Sequence, residues 1–194
     1  MISTLSKKIA RYIGDNNDTE GVPLEVYEYG LELVISTIFS CMFLLSVAWI
    51  FGVMLEAVVY IMCFGFLRIW AGGYHASTHL KCCTTYAIFA FATIFLIKSF
   101  NVEISIQTIG IVMICLMSIY LIFRYAPVDT ENKPLSKSEY DLYKRRSRIF
   151  VVSFSFSIFL VTLAIPTLTY YATIATGAVF VQSMTLLPIF NEKG

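Results

Sequence analysis

The sequence predicts an all-α, polytopic integral membrane protein with four to six membrane-embedded helices. Hydrophobic residues make up 58% of its 194 residues and charged residues only 14%, whereas a soluble domain carries about 25% charged residues. The mean hydropathy is +0.75. Apolar segments recur at Leu33–Leu55, Ala57–Trp70, Cys83–Ile97, Ile104–Phe123, Ile149–Ile165 and Leu168–Phe190. Because each spanning helix needs roughly 20 apolar residues, residues 1–194 are expected to form a single membrane domain.

Residues 1–30 are predicted to form a cytoplasmic or interfacial N-terminal segment. Its apolar residues recur at helical spacing and its basic residues occupy other faces: Ile2, Leu5, Ile9 and Tyr12, against Lys7, Lys8 and Arg11. This pattern favours a short helix in the lipid headgroup plane, with a solvated, frayed terminus as the alternative. The stretch from Asp15 to Glu32 is rich in acids and turn formers and is interpreted as a polar lead-in to the membrane.

Residues 31–123 hold the first four apolar segments, and residues 149–190 hold the last two. The first, fourth and sixth segments are long enough to span. The second, Ala57–Trp70, would cover only about 21 Å of a hydrocarbon core of about 30 Å. We therefore expect a tilted, re-entrant or broken helix there, whose end opens into a protein-lined cavity.

Residues 124–148 are predicted to form a basic cytoplasmic loop. Pro127 and Pro134 prevent a continuous helix at its start, while residues 136–143 can form a short one. The fifth apolar segment is directly preceded by a basic cluster of Lys144, Arg145, Arg146 and Arg148. This cluster either anchors the chain to anionic lipid or docks an acidic peptide.

The basic residues also predict the orientation in the membrane. If the N-terminus is inside and all six segments cross, every Lys and Arg except Lys98 lies on the cytoplasmic side, as the positive-inside rule requires. Both termini would then be cytoplasmic. Two re-entrant segments in place of two spans would preserve this sidedness.

One polar patch interrupts the apolar segments, at residues 68–83, with the sequence RIWAGGYHASTHLKCC. It contains both histidines and two of the five cysteines. Ionisable residues at membrane depth are costly to bury and commonly mark functional sites, so we expect the chemistry here. The other three cysteines lie in apolar segments and are expected to behave as small hydrophobic residues.

A Cys/His pair in this patch would suit acyl transfer, because a cysteine is a strong nucleophile and an imidazole can move its proton. His79 and Cys83 are four residues apart and would touch on any helix. His75 and Cys82 would lie about 10.5 Å apart along an uninterrupted helix. They can meet only if the chain folds back, which the preceding glycine pair makes feasible. Local spacing alone therefore slightly favours His79 with Cys83.

Two other interpretations of the patch stay open. His75, His79 and Cys82 are ligand types that zinc accepts, as a metal-dependent membrane peptidase would require. However, no Asp or Glu occurs between Glu56 and Glu103, so a hydrolytic zinc site would lack a nearby carboxylate base. The histidines and thiols can also be ordinary interfacial and packing residues. Our prediction includes no metal and no cofactor.

Three motifs in chain order carry a family resemblance: RxxxGGxHxxxxxxC from Arg68 to Cys82, RYAPVDxxNKPL from Arg124, and YKRRSR from Tyr143. Together they resemble the AgrB family, the accessory gene regulator protein B endopeptidases of Gram-positive quorum sensing. Length, segment order and polar loop match the family along nearly the whole chain.

The resemblance implies a cysteine endopeptidase of the bacterial cell membrane that cuts the C-terminal part from an AgrD-type propeptide on the cytoplasmic side. By motif position, His75 would be the general base and Cys82 the nucleophile, while Arg68 and Gly73 would support the site. Gly72 is also predicted to support it, because the backbone N–H groups of the glycine pair are candidate donors to an oxyanion. The family forms a thioester acyl-enzyme that the propeptide's own cysteine or serine captures, closing a thiolactone or lactone ring. On this basis we prefer His75 and Cys82 to the pair that local spacing favours.

Other classes of protein fit less well. A net charge of +1 without a clustered basic face argues against nucleic-acid binding. A transporter would be expected to place ionisable residues along several helices. Outside the polar patch, however, Glu56 and Lys98 lie near segment ends, and Gln107 and Gln182 are uncharged, so a transporter fits poorly. A non-catalytic membrane scaffold is the other alternative. Membrane lipids are expected partners besides the propeptide. The small residues of 172–178 are compatible with a homodimer or with packing inside one bundle.

Overall fold

The computed structural model describes residues 2–16, 24–73, 79–99, 103–128 and 136–191, and its elements are all helical. The helices are α1 (Ile2–Asn16), α2 (Leu24–Ile50), α3 (Met54–Ala71), α4 (His79–Ser99), α5 (Ile104–Tyr125), α6 (Lys137–Ala164), α7 (Thr169–Met184) and α8 (Pro188–Asn191), with a 3-10 turn at Pro166–Leu168. Five of them, α2 to α6, are long and apolar enough to cross a membrane. The predicted all-α, multi-pass membrane fold is confirmed.

The chain divides into two compact units, Met1–Phe51 and Gly52–Gly194. In the first unit α1 packs against α2, with Ser6 and Ala10 buried and the basic side chains of α1 exposed. The helix predicted near the N-terminus is therefore confirmed, and its place in the headgroup plane stays a prediction. Because α2 already begins at Leu24, the predicted polar lead-in is in part helical.

The predicted boundary between the first two apolar segments is wrong. The sequence placed Leu33–Leu55 in one segment, but α2 ends at Ile50 and α3 begins at Met54. Between them Gly52 has a φ of 66°, a conformation that glycine adopts without steric cost. α3 is consequently a continuous helix of 18 residues, about 27 Å long. Of the three forms expected for this segment, the continuous helix excludes the broken one, while the tilted and re-entrant forms stay predictions.

The sixth apolar segment, by contrast, is shorter than predicted. α7 has 16 residues, about 24 Å, and a turn separates it from α8 at Pro188. It packs against α3, α4, α5 and α6, and most of its residues are buried. A Cβ on Gly177 would lie only 2.7 Å from Cγ2 of Thr93 in α4. The small residues of 172–178 thus allow close helix packing inside the second unit.

The predicted loop at residues 124–148 is also too long. α5 extends through Tyr125, and α6 begins at Lys137 and runs without a break into the fifth apolar segment. The start of α6 is fixed by a reciprocal capping box: Glu139 N–H donates to Ser136 Oγ (3.3 Å), and Ser136 N–H donates to Glu139 Oε2 (2.9 Å). The basic cluster therefore lies on the first turns of a helix rather than in a loop.

Two hydrogen bonds fix the relative direction of α3 and α7. Near the start of both helices, the Tyr170 hydroxyl donates to Glu56 Oε1 (3.2 Å). At the end of both, Gln182 Nε2 donates to the Gly72 carbonyl (2.6 Å). The two helices are therefore parallel, and their C-terminal ends meet.

A buried hydrophobic cluster joins further helices at this same end. It contains Leu67 of α3, Ile122 of α5, Val151 of α6 and Val179 of α7, together with Leu186 after α7. The ends of α3, α5 and α7 and the first half of α6 thus meet around one core, which we call the site end of the second unit. Since burial of apolar side chains is the main favourable term in packing, this core supports the polar residues described next.

Candidate active site

Arg68 lies in the last turn of α3, at the site end. Its side chain is partly buried, Nη1 donates to Oε1 of Gln182 (3.5 Å), and the guanidinium carbon lies 5.7 Å from the centre of the Phe64 ring. The guanidinium is also close enough to Cys82 and Tyr86 of α4 to interact with them electrostatically. Arg68 therefore connects α3 with α4 and α7, beside the predicted nucleophile.

The glycine pair shapes the end of α3. Gly72 has a φ of 70°, and its N–H donates to the Arg68 carbonyl (3.0 Å); Gly73 has a φ of 127°. A Cβ on Gly72 would lie 2.7 Å from the Val128 carbonyl oxygen, and one on Gly73 would lie 2.5 Å from Thr185 Oγ1. At both positions φ is positive and the surrounding atoms leave no space for a Cβ atom, so only glycine fits. The pair makes the chain turn as it leaves α3, and its supporting role in a site stays a prediction.

The two neighbouring cysteines differ in their surroundings. Cys82 is partly buried and interacts electrostatically with Arg68, whereas Cys83 is only 5% exposed. Successive residues of a helix point about 100° apart, so the two thiols cannot share one direction. Of the two, Cys82 is the more accessible residue, and it lies within electrostatic range of the Arg68 guanidinium.

The histidines of the patch fall outside what the structure describes. His75 lies among residues 74–78, which are outside the described residues, and so does the side chain of His79 at the start of α4. The pairing of His75 with Cys82 therefore stays a prediction. Within the described ranges, no group of three or more His, Cys, Asp or Glu side chains could hold a metal ion.

The basic cluster on α6 has members with different roles. Arg148 Nη2 donates to the Phe123 carbonyl (2.9 Å), and its guanidinium carbon lies 4.7 Å from the centre of that phenylalanine ring. This contact satisfies a carbonyl in the last turn of α5 with a positive charge, which is favourable at a helix C-terminus. Lys144 stacks over a tyrosine one turn earlier in α6. Arg145 and Arg146 are exposed, so they are the members best placed to contact lipid or peptide.

Gln182 belongs to the site, although sequence reasoning did not assign it there. It is 0% exposed in the last turn of α7, where it contacts both the Gly72 carbonyl and Arg68. The sequence did contain one indication of this role, a single amide side chain in an apolar segment. A polar group that is buried away from water needs a hydrogen-bond partner, so such an amide is expected to contact another polar group. The pattern could not name those partners, which lie more than 100 positions away in the chain.

Taken together, the site end offers a partly buried thiol, a fixed guanidinium and a glycine turn. A thiol can attack a carbonyl carbon, and a nearby positive charge can stabilise the oxyanion that forms. Such an arrangement is suited to acyl transfer.

The chain is similar to known proteins along most of its length. The model of a family described as accessory gene regulator B matches residues 6–186. The putative AgrB-like protein 2 of Clostridium perfringens is 32% identical over 140 residues, which is 70% of this chain and 64% of that relative; the match thus spans less than two thirds of the relative's length. The putative AgrB-like protein 1 of the same species is 26% identical over 187 residues, 96% of each chain.

A further relative is the accessory gene regulator protein B of Staphylococcus aureus, which is 23% identical over 190 residues, 96% of this chain and 94% of that protein. No solved structure matches the chain.

Proposed function

The chain belongs to the accessory gene regulator B family, and on that premise we propose that it is a membrane cysteine endopeptidase. Its substrate is an AgrD-type propeptide, from which it removes the C-terminal part at the cytoplasmic face of the bacterial cell membrane. The observation that carries the proposal is a partly buried Cys82 within electrostatic range of the Arg68 guanidinium, in the motif that resembles the family's active site.

In the proposed reaction, His75 withdraws the proton from Cys82 and the thiolate attacks the carbonyl carbon of the scissile peptide bond. The tetrahedral intermediate collapses as the carbon–nitrogen bond breaks, and the imidazolium of His75 protonates the leaving amine. The N-terminal part of the substrate remains attached to Cys82 as a thioester.

The second step closes the ring. An internal cysteine thiol of the bound fragment attacks the thioester and gives its proton to His75, which passes that proton to Cys82 as the carbon–sulfur bond breaks. The product is a thiolactone, or a lactone where the substrate carries a serine. The partial burial of Cys82 supports ring closure over hydrolysis, because a shielded site keeps water from competing for the acyl group.

Arg68 is the proposed partner of the oxyanion. Its side chain is partly buried at the end of an apolar helix, where a charge interacts more strongly than in water. The N–H of Gly72 is already engaged by the Arg68 carbonyl (3.0 Å), so it is a poor alternative donor. This leaves the guanidinium as the best-supported group for the role.

The distribution of charge supports the proposed sidedness. Arg68 and Arg124 lie in the last turns of α3 and α5, and Arg148 of α6 donates to the Phe123 carbonyl at the same end. The positive-inside rule assigns such an end to the cytoplasm. The exposed Arg145 and Arg146 on the same end would then contact anionic lipid or an acidic part of the propeptide.

Co-expression of the full chain with a candidate propeptide tests this function. We expect Cys82→Ala and His75→Ala to abolish release of the C-terminal fragment, while the matched controls Cys83→Ala and His79→Ala keep it at equal membrane levels. Release that survives Cys82→Ala but is lost with Cys83→Ala would reassign the nucleophile. Release that survives all four substitutions would refute cysteine catalysis.

A further inference from the structure

The amide of Gln182 links two groups of the site end that have opposite hydrogen-bonding needs. The Gly72 carbonyl can only accept, and the Arg68 guanidinium can only donate. Gln182 meets both, because Nε2 donates to the Gly72 oxygen (2.6 Å) and Oε1 accepts from Arg68 Nη1 (3.5 Å). The two neighbours therefore dictate which way the amide is turned, and no apolar side chain could replace it.

Burying this amide would cost free energy if it did not hydrogen-bond to those two groups. Gln182 is 0% exposed and lies in a helix that is otherwise mainly apolar. Burying an amide without hydrogen bonds is unfavourable. Its two contacts instead reach the backbone turn at the end of α3 and the cation beside Cys82, which are separate parts of one site.

The contact with Arg68 restricts a flexible side chain. An arginine at a helix end has many rotamers, and only some of them bring its guanidinium near Cys82. An acceptor fixed in α7 favours the rotamers that point inward, and a group held ready for the transition state contributes more to the rate than one that must first be ordered.

We propose that Gln182 is a positioning residue, which holds the Arg68 guanidinium beside Cys82 and the Gly72 carbonyl against α7. It acts through Arg68 rather than on the substrate. This inference rests on the proposed function, because it assigns Arg68 a task in peptide cleavage.

The test is steady-state cleavage of a synthetic propeptide by the purified full chain in lipid nanodiscs. Gln182→Leu should lower kcat by about 100-fold, since a small misplacement of a catalytic group can cost that much, with KM unchanged within about two-fold because substrate contacts remain. Gln182→Glu keeps an acceptor for Arg68 and should retain more activity than Gln182→Leu. Ser183→Ala is the matched control, because Ser183 is equally buried and its hydroxyl bonds to its own helix at the Val179 carbonyl (2.8 Å).

A double-mutant comparison separates positioning from a general packing defect. If Gln182 acts mainly through Arg68, the variant with both Arg68→Ala and Gln182→Leu should lose clearly less activity than the product of the two single losses. Losses that multiply would overturn the inference, and so would an unchanged kcat in Gln182→Leu or an equal loss in Ser183→Ala. If Gln182→Leu does not accumulate, Gln182→Asn takes its place, since an arm one methylene shorter cannot reach both groups; a wild-type kcat for it would overturn the inference.

The wild-type chain separates this inference from the proposed function. Wild-type cleavage no faster than that of Cys82→Ala would overturn both. Wild-type cleavage that depends on Cys82 but is insensitive to Gln182 would overturn only the positioning role.

Discussion

The turn at the end of α3 makes a sharp prediction about Gly72. Replacement of this glycine by alanine should destabilise the protein and also reduce cleavage, because the turn directs the chain from Arg68 toward the segment that carries His75. The substitution adds a single methyl group and no charge. Any large effect must therefore come from the backbone conformation and the space around it.

The structure sets the size of the effect. Gly72 has φ 70° and ψ −141°, close to a region that is nearly confined to glycine and costs other residues about 1–3 kcal/mol. The new Cβ would lie 2.7 Å from the Val128 carbonyl oxygen, a separation that real Cβ atoms essentially never show. Relieving that contact strains the hydrogen bond from Val128 N–H to the Ala71 carbonyl (3.0 Å), worth about 1 kcal/mol. The sum is roughly 2–4 kcal/mol.

Thermal unfolding in nanodiscs, followed by tryptophan fluorescence, measures this loss. Trp70 is two residues before the turn, and its ring centroid lies 5.7 Å from that of Phe150 in α6, so it reports on the site end. A loss of that size should lower the apparent Tm by roughly 5–15 °C for a chain of this length.

Gly65→Ala is the matched control for this experiment. Gly65 lies in the same helix, and an added Cβ would meet nothing within 4 Å. Alanine is favoured over glycine inside a helix by up to about 1 kcal/mol, so the Tm should stay the same or rise. A Gly72→Ala protein that melts with the wild type, or a Gly65→Ala protein that loses as much stability, would refute the reasoning.

Two further predictions concern packing around the site. Arg148→Ala should lower the free energy of unfolding by about 1–2 kcal/mol, because it leaves a carbonyl in the last turn of α5 without its charged donor. As a control, substitution of the exposed Arg145 by alanine should change that free energy by less than about 0.5 kcal/mol. Equal effects of the two substitutions in thermal unfolding would contradict the capping role of Arg148. Gly177→Ala should lower the Tm, because its Cβ would lie 2.7 Å from the stiff side chain of Thr93. Gly110→Ala, with nothing within 4 Å, is its control, and a Gly177→Ala protein as stable as that control would show that α4 and α7 separate without cost.

Composition and hydropathy were enough to predict the fold class, because a chain this apolar must satisfy its backbone inside helices. They failed at the boundary between α2 and α3, since the residues on both sides of Gly52 are apolar and only its positive φ breaks the helix. They also overestimated the last segment. Apolar residues continue after Met184, but there the chain turns instead of extending α7.

The candidate site was only partly predictable from local sequence. The motif grouped Arg68 with Cys82, and in the structure the two are close enough to interact electrostatically; their roles in a site stay a prediction. Spacing on one helix slightly favoured Cys83, yet that thiol is turned inward, because the rotation of α4 about its axis is set by packing against other helices. Gln182 could not be assigned to the site from the sequence for a related reason. Its hydrogen-bond partners, Arg68 and Gly72, become its neighbours only when α3 and α7 pack in parallel.

The most direct test of the central claim is to trap the acyl-enzyme. The purified chain is incubated with a propeptide whose internal cysteine is replaced by alanine, so that no ring can close, and the adduct is mapped by mass spectrometry. We predict a hydroxylamine-sensitive thioester between Cys82 and the N-terminal fragment, absent from Cys82→Ala and from His75→Ala. An adduct on Cys83, or release of the C-terminal fragment at the wild-type rate from Cys82→Ala, would contradict the account.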